Sequence, residues 1–188
     1  MKPIYIVSGL PRSGTSLLMQ ALQAGGLPVA TDGKRKPDDD NPKGYVEIES
    51  IIDKLRDNPE FVFNFEDQVV KVIAYGLQYL PRGNYKVVYM ERDIEEVLDS
   101  MEKMMGSTDE ERESTRAAFI KLDEKTKVNI RNREDMDVLF VNYNEILSSP
   151  EEQLGKVHHF FEDKDLDLTK MVEAVDNTLY RQRRVKGQ

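Results

Sequence analysis

The sequence predicts a three-layer α/β/α fold, a central parallel sheet covered by helices on both faces. Three observations lead there. Apolar runs at 4–7, 69–73, 85–90 and 138–141 are continuous rather than alternating, as in strands buried on both faces. Segments with apolar residues at helical spacing separate them, and strands that alternate with helices pair in parallel. The first run also ends in a loop rich in Gly, Pro and Ser that opens directly into a helical pattern.

That first unit holds most of the chemistry. Ile4-Tyr5-Ile6-Val7 leads into Ser8-Gly9-Leu10-Pro11-Arg12-Ser13-Gly14-Thr15-Ser16, and Leu17, Leu18, Ala21 and Leu22 form one helical face. Gly9 and Gly14 let a backbone pass close to a ligand, having no Cβ to block a phosphate-sized group. The first N–H groups of a helix have no partner within it, and their dipoles favour an anion. Thr15 and Ser16 add hydroxyls, and Arg12 a permanent charge with a fork of donors. The spacing Gly9-x4-Gly14-x-Ser16 matches the phosphate-binding P-loop, with Thr15 where the triphosphate version has Lys. That Lys neutralises β- and γ-phosphates. Its replacement points to a less charged transferred group.

Gly-Leu-Pro-Arg-Ser-Gly-Thr-Ser resembles the 5′-phosphosulfate loop of the sulfotransferase family, whose members use 3′-phosphoadenosine 5′-phosphosulfate (PAPS) and release PAP. The resemblance implies a P-loop-like sulfotransferase fold and cofactor binding by Arg12, Ser13, Gly14, Thr15 and Ser16. Further along, Gly25-Gly26-Leu27-Pro28 stops the first helix, and a polar loop follows at 31–44. Asn41-Pro42-Lys43-Gly44-Tyr45-Val46-Glu47 is similar to a segment of small bacterial sulfotransferase-like proteins. Residues 47–56, with Ile48, Ile51, Ile52 and Leu55 on one side, read as an amphipathic helix.

Lys71 sits inside the second apolar run, either as an edge residue reaching for solvent or at the strand's carboxyl end facing a ligand crevice. Cytosolic sulfotransferases carry Lys-Thr-His at the matching strand end. Here Lys71 is kept, and Ile73 stands where their general-base His would be. The third run ends in Glu91-Arg92-Asp93, with Asp93 as N-cap and Glu96 placed to complete a capping box. Arg92 leaves the strand's carboxyl end and Ser100 lies eight residues on. This spacing resembles the family's 3′-phosphate site.

Residues 108–135 read as one or two charged surface helices over the substrate side, opened by Thr108-Asp109-Glu110-Glu111. After the fourth run, Ser149, Pro150 and Glu152 signal another helix start. Tyr143 matches a family Tyr that lies near the adenine, while Asn144 replaces its Glu. His158 and His159 point about 100° apart on a helix and make a poor metal pair. The basic end, with Arg184-Val185-Lys186-Gly187, is a frayed tail or a loose echo of the family's late 3′-phosphate element.

At 188 residues the chain suits one domain, 1–188, able to bury roughly 70% of its unfolded surface. A formal charge of -8 argues against nucleic acid and anionic membrane as partners. No run is apolar enough to span a bilayer, no signal peptide is apparent, and the absence of Cys excludes disulfides and a thiol nucleophile. The expectation is a cytoplasmic enzyme that moves a sulfonate from PAPS to a hydroxyl or amine of a small-molecule or carbohydrate acceptor, with no metal. Catalysis falls to Arg12, Lys71 and Glu47, the last as base by likeness to heparan-acting members; a helix-starting carboxylate is its alternative, and Glu49 and Asp40 stay open. Cofactor contacts extend to Arg92, Ser100 and Tyr143. A P-loop small-molecule kinase and a non-catalytic 3′-phosphonucleotide-binding module are the competing classes.

Overall fold

The computed structural model describes residues 2–34 and 46–176. Asp40, most of the polar loop and the basic end, which carried expectations above, lie outside them. The element order is β1 (Ile4–Gly9), α1 (Thr15–Ala24), α2 (Ile51–Asp57), a 3-10 helix (Pro59–Phe65), β2 (Val69–Lys71), a second 3-10 helix (Ala74–Tyr79), β3 (Tyr85–Glu91), α3 (Ile94–Met105), α4 (Arg112–Arg131), β4 (Met136–Asn142), α5 (Tyr143–Ser148), α6 (Pro150–Phe160) and α7 (Leu168–Glu173).

The strands form one all-parallel sheet in the order β2-β1-β3-β4. β1 lies inside the sheet, pairing Tyr5 with Val69 on one side and Ile4 with Tyr85 on the other. Every residue of β1 is buried, which is why its run is apolar on both faces. One face packs Leu18, Leu22, Ile146, Leu154 and Met171 against Tyr5 and Val7, the other Leu55, Val62, Leu77 and Ile130 against Ile4 and Ile6. This is the predicted three-layer α/β/α architecture. Among the described residues no helix is long and apolar enough to cross a membrane.

Several boundaries differ from the sequence expectation. β2 stops at Lys71, because Val72 and Ile73 lead into the second 3-10 helix. The helix expected at 47–56 begins at Ile51, after Ser50 with φ of +53°, so Glu47 is in a loop and not in a first helical turn. α4 starts at Arg112, because Asp109 folds back to accept the Glu111 N–H at 2.9 Å. Asp93 does cap α3, accepting from the N–H groups of Glu95 and Glu96. Ser149 makes no side-chain cap, and Glu152 pairs with Lys156 at 3.0 Å. α5 and α7 were not read from the sequence.

Candidate functional site

The loop between β1 and α1 is fixed by two unusual backbone positions. Arg12 has φ of +66° and Gly14 φ of +97°. A Cβ on Gly14 would stand 2.2 Å from Cδ2 of Tyr143, so the bare backbone is what lets the loop lie against that ring. The Ser13 N–H turns inward to the Leu10 carbonyl at 3.2 Å. The opening N–H groups of α1, with no acceptor inside the helix, are then presented at the carboxyl edge of the sheet.

A cavity of about 730 Å³ opens there, lined by Arg12, Gly14, Thr15, Ser16, Glu47, Lys71, Arg92, Ser100 and Tyr143 among others. All the predicted site residues except Ser13 line it. Ser13 lies behind the loop against a separate cavity of about 280 Å³, its hydroxyl buried with no hydrogen-bond partner among the described residues. Ile73 also lines the main cavity, an apolar side chain at the place of the expected base. Lys103 and Met104 line it too, three and four residues past Ser100 on the same side of α3. Tyr75 and Tyr79 supply aromatic wall. Sequence reading missed this aromatic part, since a 3-10 helix has no long periodic pattern to reveal its inward face.

Three polar groups organise the cavity. Lys71 ends β2 and, mostly buried, donates to Glu47 Oε2 at 2.5 Å and to Ser16 Oγ at 3.2 Å. Its strand-end reading holds, and Glu47 is brought to it from the loop before α2. Arg12 folds across to Ser100, Nε to Oγ at 2.9 Å, and its Nη1 lies 3.6 Å from the Met104 sulfur. Arg92 donates Nη1 to the Arg12 carbonyl at 2.9 Å and stacks its guanidinium 4.4 Å from the Tyr143 ring centre. Its Nε goes to Glu96 Oε2 at 3.1 Å, and Asn144 Nδ2 holds the other carboxylate oxygen at 3.1 Å. Glu96 thus binds Arg92 instead of closing the expected capping box. The i, i+4 spacing of Arg92 and Glu96 was the signal for this pair. Burial pushes the Tyr143 phenol pKa up, with the Arg92 charge opposing.

The donor set suits an extended anion: main-chain N–H groups, two hydroxyls, Arg12 and Lys71 converge within one cavity. Gly9 and Gly14 serve packing here, where the sequence suggested room for a ligand: a Cβ on Gly9 would stand 2.4 Å from Ser13 Oγ, and one on Gly14 would meet the Tyr143 ring. No cluster of His, Asp and Glu suited to a metal ion occurs among the described residues. His158 Nε2 is engaged with the Leu166 carbonyl at 3.0 Å, outside the residues that line the cavity.

No protein-family model matches the chain, and no curated protein matches it in sequence. Solved structures do share its shape. The chain is similar to a mouse sulfotransferase complexed with PAP, with a TM-score of 0.53 and 17% identity over 92% of this chain and 62% of that one. It therefore spans less than two thirds of that protein's length. It is similar to the sulfotransferase domain of the Synechococcus PCC 7002 olefin synthase, TM-score 0.52 and 14% identity over 100% of this chain and 90% of that one. A sugar kinase from Janibacter sp. HTCC2649 aligns with a TM-score of 0.50 and 14% identity over 88% of this chain and 97% of that one. The chain has the sulfotransferase-like α/β fold. A shared fold does not choose among chemistries, so the residues of the cavity must.

Proposed function

We propose that this protein transfers a sulfonate group from PAPS to a hydroxyl or amine of a small-molecule or carbohydrate acceptor, releasing PAP. One observation carries the reading. A single cavity is lined at once by the loop, by the Lys71–Glu47 pair and by Arg92, Ser100 and Tyr143. A donor with phosphate groups at both ends of its ribose needs two such anion-binding regions within reach of one another. The resemblance in sequence and the PAP-bound neighbour point the same way.

PAPS, when bound, supplies a sulfonate carried on a phosphate leaving group. The N–H groups of Thr15 and Ser16, the Ser16 hydroxyl and the Arg12 guanidinium hold that phosphate and stabilise its charge as it leaves. Lys71 keeps Glu47 in place and offers its ammonium to the transferring group's oxygens. Glu47 accepts the acceptor's proton, the task Ile73 cannot perform. Tyr143 and Arg92 form a stacked platform for the adenine end, and Ser100 with Arg92 faces the 3′-phosphate. Ser13 supports the turn from behind.

Thermal melts with PAP, AMP and ATP·Mg test the reading. PAP at a hundred times its Kd should stabilise the fold by about 2.7 kcal/mol, roughly 5–10 °C for a chain of this size. AMP should do less, lacking the 3′-phosphate. Stabilisation by ATP·Mg alone would overturn the reading in favour of the kinase class, against which Thr15 argues. Stabilisation by PAP with no transfer from labelled PAPS to any acceptor pool would identify a binding module, the class Ile73 favours.

A further inference from the structure

Arg92 is the cation placed to face the nucleotide's far phosphate, yet it is deeply buried and paired. Its side chain is 7% exposed and that of its partner Glu96 is 2% exposed. Glu96 Oε2 takes Arg92 Nε at 3.1 Å while Glu96 Oε1 takes Asn144 Nδ2 at 3.1 Å. Arg92 in turn holds the carbonyl of left-handed Arg12 and lies on the Tyr143 ring. Aiming a guanidinium requires only an acceptor oxygen, which a neutral amide provides as well. A carboxylate aims it and also cancels its charge. A buried anion beside an anion-binding site opposes the ligand, and this effect reaches beyond contact distance in a poorly solvated setting.

We infer that Glu96 is a charge-offsetting positioning residue. It sets Arg92 under the loop while reducing the attraction of the site for its nucleotide, so that a polyanionic product is released. The inference rests on the proposed function, since it presumes a ligand with phosphate at this end of the cavity. Glu96 acts through Arg92, without contact to the ligand. A purely structural Glu96 and a charge-offsetting one predict opposite signs when the charge is removed and the shape kept.

The test is PAP and AMP binding by calorimetry for the wild type, Glu96→Gln, Arg92→Gln and the double variant. Gln retains an oxygen for Arg92 Nε, and its amide can donate to a turned Asn144. Glu96→Gln should tighten PAP on the order of tenfold, the scale of one unit charge at about 8–10 Å in a partly screened interior. Weaker or unchanged binding would overturn the inference. The double variant, whose neutral pair avoids a lone buried charge, reads the effect even where Glu96→Gln fails to fold. It should bind PAP several-fold more tightly than Arg92→Gln, and equal or weaker binding would again overturn the inference. A wild type that does not prefer PAP to AMP would remove the proposed function and this inference together. A wild type that prefers PAP, with Glu96 variants that do not tighten, would remove only the inference.

Discussion

At the amino-terminal ends of the strands, Asp135 accepts from Arg133 Nη2 at 2.5 Å, Arg82 Nη1 at 3.1 Å and the Gly83 N–H at 2.9 Å. At the same end Asp67 binds Lys2 and Lys164, and Asp163 binds Lys86 and Tyr5. At the carboxyl-terminal ends, Lys71 with Glu47 and Arg12 with Ser100 border an open cavity. The first set ties loops to the sheet. Arg133 also donates to the carbonyls of Leu80 and Pro81, closing the turn before β3. The second set presents groups that an incoming anion can engage. The two ends use the same residue types, and what separates them is whether the pairs face a cavity or brace backbone.

The largest break of that comparison is expected at the cavity end. Glu47→Gln should lower sulfonate transfer by roughly 10²- to 10⁴-fold, the range for losing a general base, with PAP affinity retained. Steady-state transfer and PAP calorimetry on one sample check it. Near-normal turnover would move the base to another group.

At the bracing end the expected effect is on stability. The Arg133 hydrogen bonds hold the Asp135 carboxyl pKa well below the usual carboxylate range. A folded value below the unfolded one gives stability that is fully present above about pH 4 and lost as pH falls through the folded value. Asp135→Asn should cost about 2–4 kcal/mol at neutral pH, a little under the roughly 3–5 kcal/mol for breaking a fully buried ion pair, because both side chains keep some solvent contact. The gap to wild type should shrink on acidification, read by urea titration at pH 7 and pH 3. PAP binding should persist in the folded variant. A variant that loses PAP binding while still folded would blur the distinction between the ends.

The smallest effect is expected at Lys103, which lines the cavity and has no ion-pair partner among the described residues. Lys103→Gln should weaken PAP by roughly threefold to tenfold, an effect that high salt reduces. An unchanged affinity at low salt would place Lys103 outside the anion's reach.

Much of this was legible because it is local. The β1–loop–α1 unit and the placing of Arg92 behind β3 depend on residues a few positions apart, and spacing records that. Glu47 was named, but its surroundings were not. Its loop position follows from Lys71, a partner 24 residues away, and local propensity for a helix lost to that contact. Glu96 was read as a cap because its spacing from Asp93 allows it, while a buried guanidinium outcompeted the backbone N–H for its oxygen. Ser13 turned away from the cavity for a reason no pattern holds, the left-handed backbone at Arg12. The short helices α5 and α7 are too brief for periodicity to show.

The position of β1 also constrains the order of assembly. Its outer hydrogen bonds go to β2 and β3, so Ile4 waits for Tyr85 before the sheet can close around it. During synthesis the loop between β1 and α1 is made before β2 and β3, on a strand whose partners have not yet left the ribosome. Contacts between such distant stretches slow folding, and an apolar strand without partners is prone to aggregate meanwhile. Release of the chain before β3 has emerged would therefore yield insoluble fragments, and a nascent-chain series would locate the length at which the chain first becomes soluble.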